Sequence, residues 1–177
     1  ERLLEVDGVR DLPLDAAFRV ADELIMRSIK GVSEMIAKEG IVNLDFQDLR
    51  SVMENGGGVA MIGLGEASGS NRAAEATEEA LHSPLLDLDI SDARGALINV
   101  VGGPGLSLGD TEACAKIIRD QINPYARIIL GATTDPTMGD EIRVLLVLTG
   151  VKSDQIHGAA LHTQMRNLRT RTVEFIN

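Results

Sequence analysis

The chain has 177 residues, 44% of them apolar, which is enough to fill a core of its own. Its 17 Lys and Arg residues against 27 Asp and Glu residues give a formal net charge of −10, which argues against nucleic acid and anionic membrane surfaces as partners. The sequence has no signal peptide, no 18-residue apolar run and a single cysteine, so we expect a cytoplasmic protein without direct membrane insertion or an internal disulfide. Because the first residue is Glu1 rather than Met, we expect a piece of a longer protein.

The first predicted element is a long amphipathic helix. Apolar residues recur at steps of three and four between residues 13 and 38, which is the period of a helix with one apolar face. Asp11 is a candidate cap, Pro13 suits the first turn, and Gly40 suits the end. At about 1.5 Å per residue, such a helix spans roughly 39 Å. That length is typical of a helix that connects two domains.

A second, shorter helix is predicted at residues 45–54, and strands alternate with helices beyond it. The strands are expected at 58–64, 95–101, 126–132 and 141–149, and the helices at 70–82 and 108–121. We expect the last two strands to form an antiparallel hairpin, because the polar connection 133–140 is long enough. The predicted fold class is α/β (α+β), with a long helix followed by a small domain that contains a four-stranded mixed sheet and packed helices.

The most informative stretch joins the first two helices and reads Asn43-Leu44-Asp45-Phe46-Gln47-Asp48. Asp45 and Asp48 are three residues apart, so on the first turn of a helix their carboxylates share a face. Two carboxylates and an amide can orient a water for attack on a γ-phosphate, because phosphoryl transfer needs positioning more than covalent help. Aspartates at a helix start also cap free N–H groups, and the spacing by itself favours this structural role.

This loop resembles the N-x-D-x-x-D catalytic loop of the FtsZ family, relatives of tubulin, and it follows a long helix as it does in that family. Five further segments are similar to the family in the same order, at residues 17–23, 61–67, 83–86, 93–97 and 143–150. Together the segments cover about residues 3–151, and their general similarity favours an archaeal member.

The resemblance implies a division of labour between neighbouring subunits. FtsZ proteins have an N-terminal GTP-binding domain, a central helix and a C-terminal domain, and head-to-tail stacking inserts the catalytic loop of one subunit into the nucleotide pocket of the next. On this basis Asp45 and Asp48 would polarise the attacking water, and Asn43 would help to hold the loop or the phosphate side. Phe18 and Asp22 would touch guanine on the subunit's own nucleotide. Without the resemblance, Phe18 would be a core residue and Asp22 an exposed helical acid.

The implied domain boundaries follow from the same resemblance. They are 11–40 for the central connecting helix, 41–57 for the catalytic loop and short helix, 58–150 for the mixed-sheet domain and 151–177 for a C-terminal extension. The family's G-G-G-T-G-[TS]-G phosphate loop is missing, because Gly56-Gly57-Gly58 is followed by Val59. We therefore expect that this chain alone neither binds nor hydrolyses GTP, and that GTP with Mg²⁺ is held mainly by an absent N-terminal domain and the neighbouring subunit.

Other conspicuous residues have structural explanations. Gly63, Gly65 and Gly69 lack the spacing of a dinucleotide-binding turn, so close backbone packing is the better interpretation. Cys114 has the surroundings of a small buried hydrophobe. No metal site is expected, because the three histidines, His82, His157 and His162, lack the spacing of metal ligands.

The function implied is that of the C-terminal half of a polymerising cell-division GTPase, which forms the division ring and partners copies of itself. Membrane-anchor or division-regulator proteins are possible further partners, although the end of the chain lacks the short proline-containing tail that recruits anchors in many relatives. Two alternatives stay open from the residues alone. One is a non-catalytic interaction or filament-capping module, and the other is a small-molecule regulatory domain.

Overall fold

A computed structural model describes residues 13–38, 40–56, 60–83 and 89–151. It contains helices α1 (Leu14–Ala37), α2 (Phe46–Asn55), α3 (Arg72–Leu81) and α4 (Leu108–Gln121), strands β1 (Ala60–Ser68), β2 (Gly95–Gly102), β3 (Arg127–Thr134) and β4 (Glu141–Thr149), and a 3₁₀ turn at Pro136–Met138. The predicted fold class, a mixed four-stranded sheet with packed helices after a long helix, is confirmed.

Several sequence predictions fall outside the described residues. These are the cap at Asp11, the glycines at 57–58, the motif at 84–86, His157 and His162, and residues 152–177 of the proposed extension.

The predicted hairpin of the last two strands is wrong. The strand order is β1-β4-β2-β3, with β2 parallel to β3 and β4 antiparallel to both β1 and β2. Helix α4 supplies the long crossover that parallel neighbours need, so β3 lies beyond β2 and cannot pair with β4. The connection after β3 instead crosses the end of β2, where the Asp135 N–H donates to the Gly102 carbonyl at 2.8 Å. Gly103 packs there against the backbone of Gly139, at a crossing without room for side chains.

The sheet separates two apolar clusters, one on each face. In β4, Val144, Leu146 and Leu148 belong to the cluster under α3 and α4, whereas Leu145 and Val147 belong to the cluster under α1 and α2. This alternation is the period-two pattern of a strand, and burial of both faces explains why β2 and β4 read as continuous apolar runs.

Strand β1 extends to Ser68, beyond its predicted end at residue 64, so Gly65 lies within it rather than after it. A Cβ at Gly65 would meet the Ala80 nitrogen at 2.5 Å and would also collide with the Ala76 carbonyl. The predicted close backbone packing is confirmed at Gly65 but not at Gly69, where φ is 97° and a Cβ would meet nothing within 4 Å. Helix α3 begins at Arg72, close to the predicted start at residue 70, and the side chain of Asn71 before it makes no capping hydrogen bond.

The lone cysteine, Cys114, is fully buried, as expected for a small hydrophobe, and burial raises the pKa of its thiol. Across the described ranges, no helix is both long and apolar enough to cross a membrane.

Arg72, at the start of α3, joins three separate parts of the sheet domain. Its guanidinium donates to the Asp110 carboxylate at 3.0 Å, to the Gly105 carbonyl at 2.8 Å and to the Asp140 carbonyl at 2.9 Å. Asp110 is in turn the third residue of α4 and forms a reciprocal capping box with Ser107. Partial burial raises the pKa of Asp110, but hydrogen bonds from Ser107 and Arg72 outweigh it, so the pKa lies below its ordinary value.

We expect Asp110→Asn to lower the free energy of unfolding by about 1–3 kcal/mol at pH 7, because charge-assisted hydrogen bonds are lost. A carboxyl whose pKa is depressed by folding stabilises the fold above its unfolded pKa of about 3.9, and that stabilisation is lost as the pH falls through the lower folded value. Wild type and variant should therefore converge below about pH 4 in urea unfolding. Asp120→Asn, an exposed change on the same helix, is the control, and a pH-independent difference for Asp110→Asn would contradict this account.

Candidate functional site

The loop between α1 and α2 is held against the edge strand β3. Val42 forms an isolated antiparallel bridge with Ala132, with N–H to carbonyl distances of 3.0 and 3.1 Å. The Gly40 N–H donates to the Asn43 side-chain oxygen at 2.6 Å, which closes the turn before α2. The loop is thus tied to the sheet at one point and folded on itself at another.

Asp45 and Asp48 form a reciprocal capping box at the start of α2. The Asp48 N–H donates to Oδ1 of Asp45 at 2.8 Å, and the Asp45 N–H donates to Oδ2 of Asp48 at 3.2 Å. The structural role that the spacing favoured is therefore confirmed. Within the described part of the chain, the second oxygen of each carboxylate accepts no hydrogen bond.

The surroundings of the capping box are open and partly apolar. Asn43 and Asp45 are exposed, and the flanking side chains of Ile41 and Phe46 are 66% and 63% exposed. Only Leu44 turns inward from this stretch, with 6% exposure. Sequence reasoning missed the exposed apolar pair, whose one signal was its place directly beside the polar loop residues.

The two basic side chains that flank the loop in sequence are both engaged in ion pairs. Lys38 lies 3.5 Å from Glu34 and 3.4 Å from Asp135, and Arg50 lies 2.7 Å from Glu54. The carboxylates of the loop can therefore hold and polarise a water or accept its proton, but they repel a phosphate. The neutral amide of Asn43 does not repel a phosphate and can donate hydrogen bonds. Among the described residues, no group of three or more His, Cys, Asp or Glu side chains could hold a metal ion.

Phe18 and Asp22 lie one turn apart on α1, both exposed. With its side chain 61% exposed, Phe18 is not a core residue of this chain, which corrects the alternative interpretation of that position. Asp22 is an exposed helical acid, as that interpretation held. The structure does not bring this pair to the capping box, because about 22 Å of helix separates Asp22 from Ala37.

Helix α1 is confirmed, yet much of its apolar face does not reach the core of this chain. Met35, near its end, is buried against the sheet, and Arg27 lies 3.5 Å from Glu66 of β1. Five large apolar side chains along the helix stay exposed, namely Phe18, Ile25, Met26, Ile29 and Ile36. An exposed apolar stripe of this kind is typical of an interaction surface.

A cleft lies between α1 and the sheet, lined by Gly31, Met35, Asn99, Thr133 and Leu145 among others. Its volume of about 20 Å³ holds roughly one water molecule. That cleft is too small for a metabolite.

Comparison with known proteins decides the family. The model of the FtsZ family, C-terminal domain, matches residues 58–152, which is more than half of the chain. The chain belongs to the FtsZ family. It is 52% identical over 158 residues to cell division protein FtsZ 1 of Archaeoglobus fulgidus and 53% identical over 158 residues to FtsZ 1 of Halobacterium salinarum. Each alignment covers 89% of this chain, but the chain spans only 42% and 39% of those relatives.

The fold agrees with a solved FtsZ structure. An FtsZ dimer of M. jannaschii matches with a TM-score of 0.76 and 46% identity, over 85% of this chain and 43% of that chain. The four-stranded mixed sheet with its helices is the fold of the FtsZ C-terminal domain.

We expect Asp45→Ala to lower the free energy of unfolding of this chain by about 0.5–2 kcal/mol, because the N-cap of α2 is lost. Asp45→Asn keeps an acceptor oxygen and should stay within about 0.5 kcal/mol of wild type, since Asn caps as well as Asp. Urea unfolding at pH 7 measures both, with Asp22→Ala, an exposed acid inside α1, as the control. Equal stability of Asp45→Ala and wild type would show that the carboxylate does not cap.

Proposed function

We propose that this chain is the C-terminal half of a polymerising cell-division GTPase, and that its Asn43–Asp48 loop completes the GTP hydrolysis site of the adjacent subunit in a head-to-tail filament. One observation carries the proposal. The capping box holds each carboxylate by one oxygen, and among the described residues the second oxygen of each accepts no hydrogen bond; Asp45 is exposed and Asp48 is half-buried. Two carboxylates that are held in place, each with one oxygen still able to accept a hydrogen bond, are what positioning of an attacking water requires.

The charge of the loop determines which part of the reaction it can perform. Asp45 and Asp48 would hold a water by its protons, so that its oxygen is directed away from them and toward the phosphate. Attack forms the bond from that oxygen to the γ-phosphorus, the bond to the β–γ bridging oxygen breaks, and a carboxylate accepts the proton. Asn43, whose oxygen is used by the Gly40 N–H, would keep the loop closed and retain its amide N–H₂ for the phosphate side. GTP and its Mg²⁺ are the substrate and would be brought by another chain.

The two ends of α1 support a head-to-tail arrangement. Phe18 and Asp22, the positions proposed to touch guanine of the subunit's own GTP, lie toward the start of the helix, and the loop follows its end. One subunit would thus contribute to two different nucleotides, about one helix length apart. The M. jannaschii relative is described as a dimer, which agrees with self-association.

The proposed domain boundaries are 11–40, 41–57, 58–150 and 151–177, with a GTP-binding domain outside this sequence. The exposed apolar stripe of α1 supports this division, because an N-terminal domain would cover it. We further propose a place in the cytoplasm at the division site, with copies of itself as the principal partner and membrane-anchor or regulator proteins as further ones. The names of the relatives, cell division proteins, support that location.

A fusion of the N-terminal portion of A. fulgidus FtsZ 1 to this chain tests the proposal. Asp45→Asn and Asp48→Asn keep the capping oxygens and remove only the charges. Both variants should therefore fold as the parent fusion does and bind GTP with an affinity within about twofold of it. GTP turnover should fall by about 100-fold or more, the usual loss when a catalytic base is removed. Asp120→Asn, on the exposed face of α4, is the charge-matched control and should retain full turnover.

Two results would contradict the proposed roles. Unchanged turnover in Asp45→Asn would leave the acids as caps alone and favour a non-catalytic interaction module. Loss of GTP affinity, measured with a fluorescent nucleotide, would make them nucleotide contacts instead of positioning groups for water.

A further inference from the structure

The Asn43–Asp48 loop and the residues just before it meet β3 at three consecutive positions. Gly40 lies so close to the strand that a Cβ on it would meet the Thr133 hydroxyl at 2.6 Å. Val42 bridges Ala132 through two hydrogen bonds, and Leu44 lies over Gly131. This segment of the chain therefore contacts three consecutive residues of one edge strand.

Leu44 is the buried residue of this contact. It is nearly fully buried and packs with the cluster under α1 and α2, while Asn43 and Asp45 on either side of it are exposed. Because these residues are adjacent in the chain, a shift of the Leu44 backbone also moves the two polar residues that flank it. The depth at which Leu44 is seated thus sets the height of the proposed hydrolytic groups above the sheet.

Gly131 determines that depth. A Cβ at this position would meet Cγ of Leu44 at 2.5 Å, where ordinary van der Waals contact needs about 3.4 Å or more. The backbone of Gly131 does not have a positive φ, so its conformation is open to other residues. The space that Leu44 occupies, and not the backbone, is what requires glycine here.

The Val42–Ala132 bridge fixes the register of the loop on the strand. Two hydrogen bonds pair these residues, and a slip by one residue would direct Leu44 to the opposite side. The loop is therefore constrained both along β3 and perpendicular to the sheet.

We infer that strand β3 positions the hydrolytic carboxylates through the contact between Gly131 and Leu44, which are therefore positioning residues. This inference rests on the proposed function of the loop. A methyl group at residue 131 would lift Leu44 by about 1 Å, and a displacement of that size in a catalytic group costs up to about 100-fold in rate. Gly131 touches no substrate and acts only through Leu44.

The test is a double-mutant cycle in the fusion protein. Gly131→Ala should lower kcat by about 10- to 100-fold with KM and GTP affinity within about twofold, because geometry and not binding is changed. In a Leu44→Ala background the collision with Leu44 is gone and only the milder approach to Oδ1 of Asn99, at 3.2 Å, remains, so adding Gly131→Ala should change kcat by less than about threefold. Gly109→Ala, where a Cβ has room at 3.6 Å from the nearest atom, is the matched control and should leave kcat unchanged.

The outcomes separate this inference from the proposed function. The inference is wrong if Gly131→Ala alone leaves kcat intact, or if it lowers kcat equally in the Leu44→Ala background. In either case β3 does not position the carboxylates through Leu44. Should Gly131→Ala fail to fold, the double variant carries the test, and it must fold and match Leu44→Ala within about threefold. If Asp45→Asn retains turnover, the proposed function itself fails, whatever the cycle gives.

Discussion

The reciprocal hydrogen bonds between Asp45 and Asp48 are the interaction on which the site depends. One oxygen of each carboxylate accepts a hydrogen bond from a backbone N–H at the start of α2, and the other accepts none among the described residues. A capping role and a hydrolytic role are usually weighed as rivals for a helix-start aspartate, but under the proposed function the capping hydrogen bonds would also hold the carboxylates in place for hydrolysis. The cap removes the rotational freedom of both side chains, so that no further ordering is needed when a water arrives.

Helix α1 and strand β3 place that capping box relative to the rest of the protein. The end of α1 packs on the sheet through Met35, and β3 receives the loop through Ala132 and Gly131. The remainder of α1 presents an apolar stripe with no counterpart among the described residues of this chain. The described part of the chain thus carries an exposed apolar surface along α1 and an acidic loop after the end of that helix.

The sequence predicted what depends on local spacing and failed where distant segments meet. The capping geometry follows from two aspartates three residues apart, and the helices follow from their apolar period, so both could be predicted. The pairing of β3 with β2 could not, because strand order depends on contacts between remote segments, and the polar connection at 133–140 suggested a hairpin that does not form. The contact of Leu44 with Gly131 was missed because it too joins segments that are remote in the sequence. Phe18 was assigned to the core in the alternative interpretation because its helical period cannot tell which body covers it.

The most direct measurement is GTP turnover when this chain is mixed with a separately produced N-terminal portion of A. fulgidus FtsZ 1, comparing wild type with Asp45→Asn. Association of the two pieces is first established by analytical ultracentrifugation. If the loop supplies the hydrolytic half of the site, neither piece alone turns over GTP, the wild-type mixture does, and the Asp45→Asn mixture associates equally well but is inactive. Equal turnover in the two mixtures, or none in the wild-type mixture despite association, would contradict that claim.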